Sequence, residues 1–167
     1  MNRILGSLLA MSLLVGCAAG GAVQQTSATS VAVDSTKTGG VVVKSSVKDR
    51  ETVVEGLRQA INSQLLNKRV FASLPGDVTV ADIRLDVTII EVSEVSQASR
   101  ILFAALAGQA KIVADVDVID ARTNTSLGQM RAEGKSSGGH VFAGTTSEAL
   151  DQMASQVADY LLRNRKI

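Results

Sequence analysis

Apolar and polar positions divide the chain into a short apolar start, a sparsely patterned polar stretch and a well-patterned remainder. Val41-Val42-Val43-Lys44 is a β-branched run and predicts a strand. From Asp49 to Asn67, Val53, Val54, Leu57, Ala60, Ile61, Leu65 and Leu66 recur at spacings of three and four, with Arg50, Glu51, Glu55 and Arg58 opposite. That spacing predicts an amphipathic helix. Pro75-Gly76-Asp77 marks a turn. Ile83, Leu85, Val87 and Ile89 then alternate with Asp82, Arg84, Asp86 and Thr88, predicting a strand over Asp82 to Val95. At Ile90 the alternation slips by one. Such a slip would turn every later side chain to the wrong face, and a β-bulge near Ile90 would repair it.

Ser99 to Leu106 is apolar and Ala-rich, a short helix or a buried loop. Gln109 to Asp120 predicts a strand with Ile112, Ala114, Val116 and Val118 on one face. Thr123-Asn124 supplies a turn into an antiparallel partner over Leu127 to Lys135. The inward side of that partner is small: Gly128, Met130, Ala132 and Gly134, which would let a helix pack close. Thr145 to Arg165 predicts the last helix. Thr145-Thr146-Ser147-Glu148 has capping-box spacing, and Leu150, Met153, Ala154, Val157, Leu161 and Leu162 form its apolar stripe. The order βαβββα predicts an α+β two-layer sandwich over residues 41–167. It would have one mostly antiparallel sheet of about four strands, with two main helices on one face.

The N-terminal segment reads as an address. Met1-Asn2-Arg3 is short and positive, and Ile4 to Val15 is an uncharged, mostly apolar run. As a helix that run reaches only about 18 Å, too short for a hydrocarbon core about 30 Å thick. It fits a secretory signal over residues 1–16. Leu14-Val15-Gly16-Cys17 closely resembles the lipobox of bacterial lipoproteins. The resemblance implies cleavage before Cys17, lipid on its thiol and on the new amino group, and anchoring by more than one chain. Ala18 and Ala19 follow where an Asp would favour inner-membrane retention. The resemblance therefore implies an outer-membrane protein facing the periplasm. Residues 17–40, rich in Gly, Ala, Ser, Thr and Gln, read as a flexible tether of about 25–30 Å reach, although a short strand at Ser30–Asp34 is compatible with them.

Charge and composition narrow the function. Arg3 is the single charge in the first sixteen residues, so the mature chain keeps 16 basic and 16 acidic residues and is formally neutral. That balance argues against a nucleic-acid binder. The basic end Arg163, Arg165, Lys166 reads as cations complementing a helix C-terminus. Aromatic residues are 2 % of the chain, so the core must be aliphatic. A single Cys and a single His supply neither an internal disulfide nor a zinc site, and no metal or cofactor is expected.

Several segments carry candidate chemistry. Gly134-Lys135-Ser136-Ser137-Gly138 has the G-x-S-x-G spacing of a nucleophile elbow, with His140 nearby. That motif needs a helix directly after the Ser, and here the helix starts only near Thr145. Gly134-Lys135-Ser136 also invites a phosphate-loop reading, but that loop needs a Gly at position 129, where Gln stands. Asp86, Asp115, Asp117 and Asp120 could gather on one sheet face as oxygen ligands. Arg84, Lys111 and Arg131 there favour a solvated, charge-balanced face instead. Ile101, Leu102, Phe103 and Leu106 are either core or, if exposed, a partner or membrane contact.

The stretch from Glu94 to Leu162 resembles a family of bacterial lipoproteins known as domain of unknown function 4410. Val95-Ser96-Gln97-Ala98-Ser99-Arg100 carries the resemblance, with an apolar loop ending at Gly108 and the strand Ala114-Asp115-Val116-Asp117-Val118-Ile119-Asp120. The strand end Gly134-Lys135-Ser136-Ser137-Gly138-Gly139 and the final helix complete it. The family turn often has Thr-Gly where Thr123-Asn124 stands here, and Asn tolerates the same left-handed backbone. The resemblance brings no activity with it. The resulting expectation is a non-catalytic outer-membrane lipoprotein that presents its domain to an unidentified periplasmic or outer-membrane protein, as an accessory or assembly factor. An envelope serine hydrolase using Ser136 and His140, and a self-assembling structural or pore subunit, are the alternatives.

Overall fold

A computed structural model describes residues 20–29, 31–94, 109–137 and 145–166. Cys17 and the signal segment, the apolar stretch Ile101 to Leu106, and His140 lie outside the described residues.

The order of elements is β1 (Gly20–Gln25), β2 (Val33–Asp34), β3 (Gly39–Ser45), α1 (Glu51–Asn67), a short 3-10 turn (Val78–Val80), β4 (Ile83–Ser93), β5 (Lys111–Asp120), β6 (Thr125–Lys135), α2 (Thr146–Arg163) and β7 (Arg165–Lys166). Five strands form one sheet in the order β1-β6-β5-β4-β3. The expected βαβββα order is its backbone, and both helices cover one face as expected. The sheet is mixed and has five strands, however, not a mostly antiparallel four. Strands β3 and β4 pair in parallel because α1 carries the chain back to the same end of the sheet before β4 begins.

The fifth strand comes from the segment expected to be a loose tether. β1 pairs antiparallel with β6 from Gly20 opposite Lys135 to Gln25 opposite Met130. Val31 and Val33 are fully buried, and β2 pairs in parallel with β7 at the chain's C-terminal end. Residues 20–29 and 31–40 therefore belong to the fold. Arg165 and Lys166 form this short strand, beyond the end of α2, rather than extending the helix.

The core lies between the helices and the inner sheet face. Leu57, Ile61 and Leu65 of α1 share one buried cluster with Leu85, Val87 and Ile89 of β4, and Ile112, Val116, Met130, Met153, Val157 and Leu161 belong to it too. Each fully buried Leu, Ile or Met contributes about 1.5–3 kcal/mol by leaving water. Leu66, grouped with the apolar stripe by sequence, is 55 % exposed. It follows Leu65 directly, and a helix turns about 100° per residue, so both cannot face inward.

The phase slip resolves as foreseen: Ile89 pairs with Ala114 and Glu91 with Val113, leaving Ile90 as the extra residue of a bulge. A second bulge lies at Leu127, between Gly128 opposite Val118 and Ser126 opposite Ile119. Gly128 has φ +147° there, and a side chain would strike Val31. Asn124 takes φ 53° in the β5–β6 turn, the left-handed conformation expected of it.

Candidate functional site

The small inward side of β6 draws α2 onto the sheet. A Cβ at Gly134 would run into the Ala149 carbonyl oxygen, and one at Gly21 would meet Gln156 at 2.8 Å. The helix begins with Thr145 as N-cap, whose hydroxyl oxygen accepts the Glu148 N–H at 3.1 Å. The Glu148 carboxylate, the other half of a capping box, instead accepts the Ser137 hydroxyl at 3.0 Å. Lys68 ties the end of α1 to α2 through Asp159 at 2.8 Å and Ser155 Oγ at 2.9 Å.

With both helices on one side, the other sheet face is the open one. Most of its polar side chains are matched in pairs, with a few apolar ones such as Ala22 and Val42 among them. Arg131 holds Asp115 with two bonds of 2.7 and 2.9 Å, and Arg84 holds Asp86 at 2.6 and 3.0 Å. Lys111 bridges Glu91 at 3.0 Å and Glu133 at 3.7 Å, and Lys135 also pairs with Glu133. Asp117 accepts from the Ser126 hydroxyl and from the Gln129 amide. Asp120 takes the N–H groups of Arg122 and Thr123 at the turn. The two-handed arginine pairs are the geometry guanidinium favours.

Some of these contacts favour the charged form of the group they hold. The Lys135 ammonium holds Glu133 below the usual carboxylate range. The Thr123 N–H does the same for Asp120. Hydrogen bonding to Glu91 raises Lys111. At one end of the sheet, Asp82 is held low by the Thr38 N–H and then by its hydroxyl. That contact is reciprocal, because the Asp82 N–H donates to Thr38 Oγ1 at 2.9 Å.

The four aspartates singled out by sequence thus share the face or its end, but arginine, amide, hydroxyl and backbone donors already occupy their oxygens. Among the described residues no three His, Cys, Asp or Glu side chains converge as metal ligands would. A groove of about 440 Å³ runs across this face past Lys44, Asp86, Asp117, Gln129 and Arg131. Lys44 has no ion-pair partner within it among the described residues. Sequence reading passed over Lys44 as one polar residue at a strand end; its neighbours became known only with the parallel register that sets it opposite Thr88.

Ser136 is fully buried. Its Oγ accepts the Ala110 N–H at 2.9 Å while its own N–H donates to the Ala110 carbonyl at 3.0 Å. The hydroxyl therefore closes the end of the β5–β6 pair inside the protein, away from any substrate. Gly134 is pressed against α2 and cannot join a phosphate cradle. No helix among the described residues is long and apolar enough to cross a membrane.

No curated protein matches the chain in sequence. Two structures of PelC from Paraburkholderia phytofirmans, both dodecamers, share its fold. They superpose with TM-scores of 0.58 and 0.59 at 15 % and 14 % identity, each covering 88 % of this chain and 99 % of theirs. A provisionally assigned lipoprotein from Caulobacter crescentus CB15 covers 74 % of this chain and 85 % of its own at 12 % identity. Its TM-score of 0.39 is too low to argue a shared fold. One family profile matches residues 22–139, from β1 through β6 and short of α2. It takes in the first half of the domain, whereas the stretch recognised by sequence reading started only at Glu94. The chain belongs to that family, described as Domain of unknown function (DUF4410).

Proposed function

We propose that the chain is a non-catalytic, lipid-anchored outer-membrane protein that presents its α+β domain to a protein partner in the periplasm, as an accessory or assembly factor of an envelope complex. The open sheet face carries this reading. Its acids and bases are spent on one another across a broad surface rather than converging on a point where a substrate could react. Matched, partly exposed charges of this kind suit specificity and register in a protein contact more than turnover. The hydrolase alternative draws no support from Ser136, whose hydroxyl is buried and engaged with Ala110.

The lipobox-like sequence at Cys17 supports the anchor. Only two residues, Ala18 and Ala19, separate Cys17 from Gly20, the first residue of β1. That length of chain spans about 10 Å at most, so a lipid on Cys17 would hold the sheet close to the membrane surface. Self-assembly is the second reading. It is favoured by one observation, that the two PelC structures of similar fold are dodecamers.

The anchor is tested by growing cells with radiolabelled palmitate and separating the membranes. The wild-type protein is expected to carry label and to sediment with the outer membrane. Cys17→Ser is expected to carry none and to lose the membrane fraction. A wild-type protein without label would contradict the proposal.

A further inference from the structure

Among the described residues, the sheet ends on two strands with little of the usual protection of a free edge. Natural edge strands are blunted by charge, by Pro, by a bulge or by a covering segment. β1 is Gly-Gly-Ala-Val-Gln-Gln, without charge or Pro. β3 is Gly-Gly-Val-Val-Val-Lys-Ser, with Lys44 its single charge. Both bulges lie in the interior strands β4 and β6. Among the described residues β1 has a strand partner on one side only. Among the described residues, backbone cover on the outer edge of β3 is found at its start, where the Gly39 N–H donates to the Ser73 carbonyl at 2.9 Å and Thr38 bridges Ser73.

The directions of the two edges are complementary. β1 is antiparallel to β6, β6 to β5 and β5 to β4, while β4 is parallel to β3. β1 and β3 therefore run in opposite senses. If a second copy continues the sheet with the same face up, its β1 meets β3 of the first copy antiparallel, the slightly more stable ladder. The register with β6 and β4 puts Ala22 and Gln24 of β1, and Val42 and Lys44 of β3, on the same open face. All four are exposed. No like charges meet across such a junction, and the ammonium of Lys44, without an ion-pair partner among the described residues, would lie beside a strand whose only polar side chains are amides.

We infer that β1 of one copy pairs with β3 of the next, extending the sheet from subunit to subunit. The contact joins two different surfaces, so it closes into a ring or runs on as a filament rather than stopping at a dimer. This inference rests on the self-assembly reading above. A second copy fits better than a foreign strand because each chain carries both halves of the junction. The proposed anchor would add to this: with Cys17 three positions ahead of Gly20, a lipid there would hold that edge of every copy at the membrane and raise the effective concentration of one edge for another.

The test uses full-length protein in the cell envelope. The sequence has one native thiol, on Cys17; the lipid proposed there would block it and leave the introduced cysteines as the reactive ones, and the single variants control for it. Four double variants combine Ala22→Cys or Gln24→Cys with Val42→Cys or Lys44→Cys, and the four single variants are controls. Mild oxidation of at least one double variant is expected to give a ladder of dimer, trimer and higher species on non-reducing gels, with the single variants staying monomeric. A dimer from a single variant would mean that like edges meet, and would overturn the head-to-tail junction. Amine-reactive crosslinking of wild type runs alongside. Higher species there without a ladder in any double variant would overturn the edge pairing while leaving self-assembly intact. Monomer in both experiments would overturn both.

Discussion

The Ser136 hydroxyl oxygen lies 2.9 Å from the backbone nitrogen of Ala110 and accepts its hydrogen, with both residues fully buried. A serine in a nucleophile-like motif is thereby a structural group. Replacing it with Ala leaves the Ala110 N–H without a partner inside the protein. Ser136→Ala is expected to lower stability by about 1–3 kcal/mol. Urea unfolding measures it, and an unchanged midpoint would contradict the assignment.

Gly134 tests how tightly α2 is held. Its missing side chain is what admits the Ala149 carbonyl oxygen and Met153, so a methyl group there must push the helix off the sheet. Gly134→Ala is expected to cost about 1–3 kcal/mol as overpacking. Gly76 faces open space, and Gly76→Ala is expected to be nearly neutral. Equal midpoints for the two variants would show that the helix is not seated as described.

Much of this packing is legible in the sequence. The two helices, the alternation in β4 to β6 and the bulge at Ile90 follow from spacing alone, because one buried face imposes its period on each element. β1 did not show itself. Its inward positions are Gly21, Val23 and Gln25, of which Val23 alone is a sizeable apolar residue, so there is no apolar alternation to read. Gly21 is needed for the approach of Gln156, and Gln25 accepts the Tyr160 hydroxyl at 3.0 Å; both partners lie more than 130 residues away in sequence. The sheet-face ion pairs were legible as a balance of charge. Which acid meets which base depended on the register and on the bulges that shift it.

Acid should weaken the fold in a defined window. Asp82, Asp120 and Glu133 are held below the usual carboxylate range by Thr38, by the Thr123 N–H and by Lys135 respectively. The folded state then binds fewer protons than the unfolded chain wherever these groups titrate. Their contribution is whole above the ordinary carboxylate range, near pH 4, and is lost as pH falls through it towards the lower folded values. The urea midpoint is expected to hold from neutral pH down to about 5 and to drop below 4. Asp82→Asn should flatten part of that drop. A midpoint that rises on acidification would contradict the pairing.

A protein that acts by contact from a lipid anchor must be found in contact, and lose it when the anchor goes. In-cell crosslinking followed by pull-down, on wild type and on Cys17→Ser, measures this directly. The account predicts that wild type is recovered in defined crosslinked species, with a partner or with further copies of itself, and that Cys17→Ser loses or misplaces them. Wild type recovered only as an uncrosslinked monomer, indistinguishable from Cys17→Ser, would contradict it.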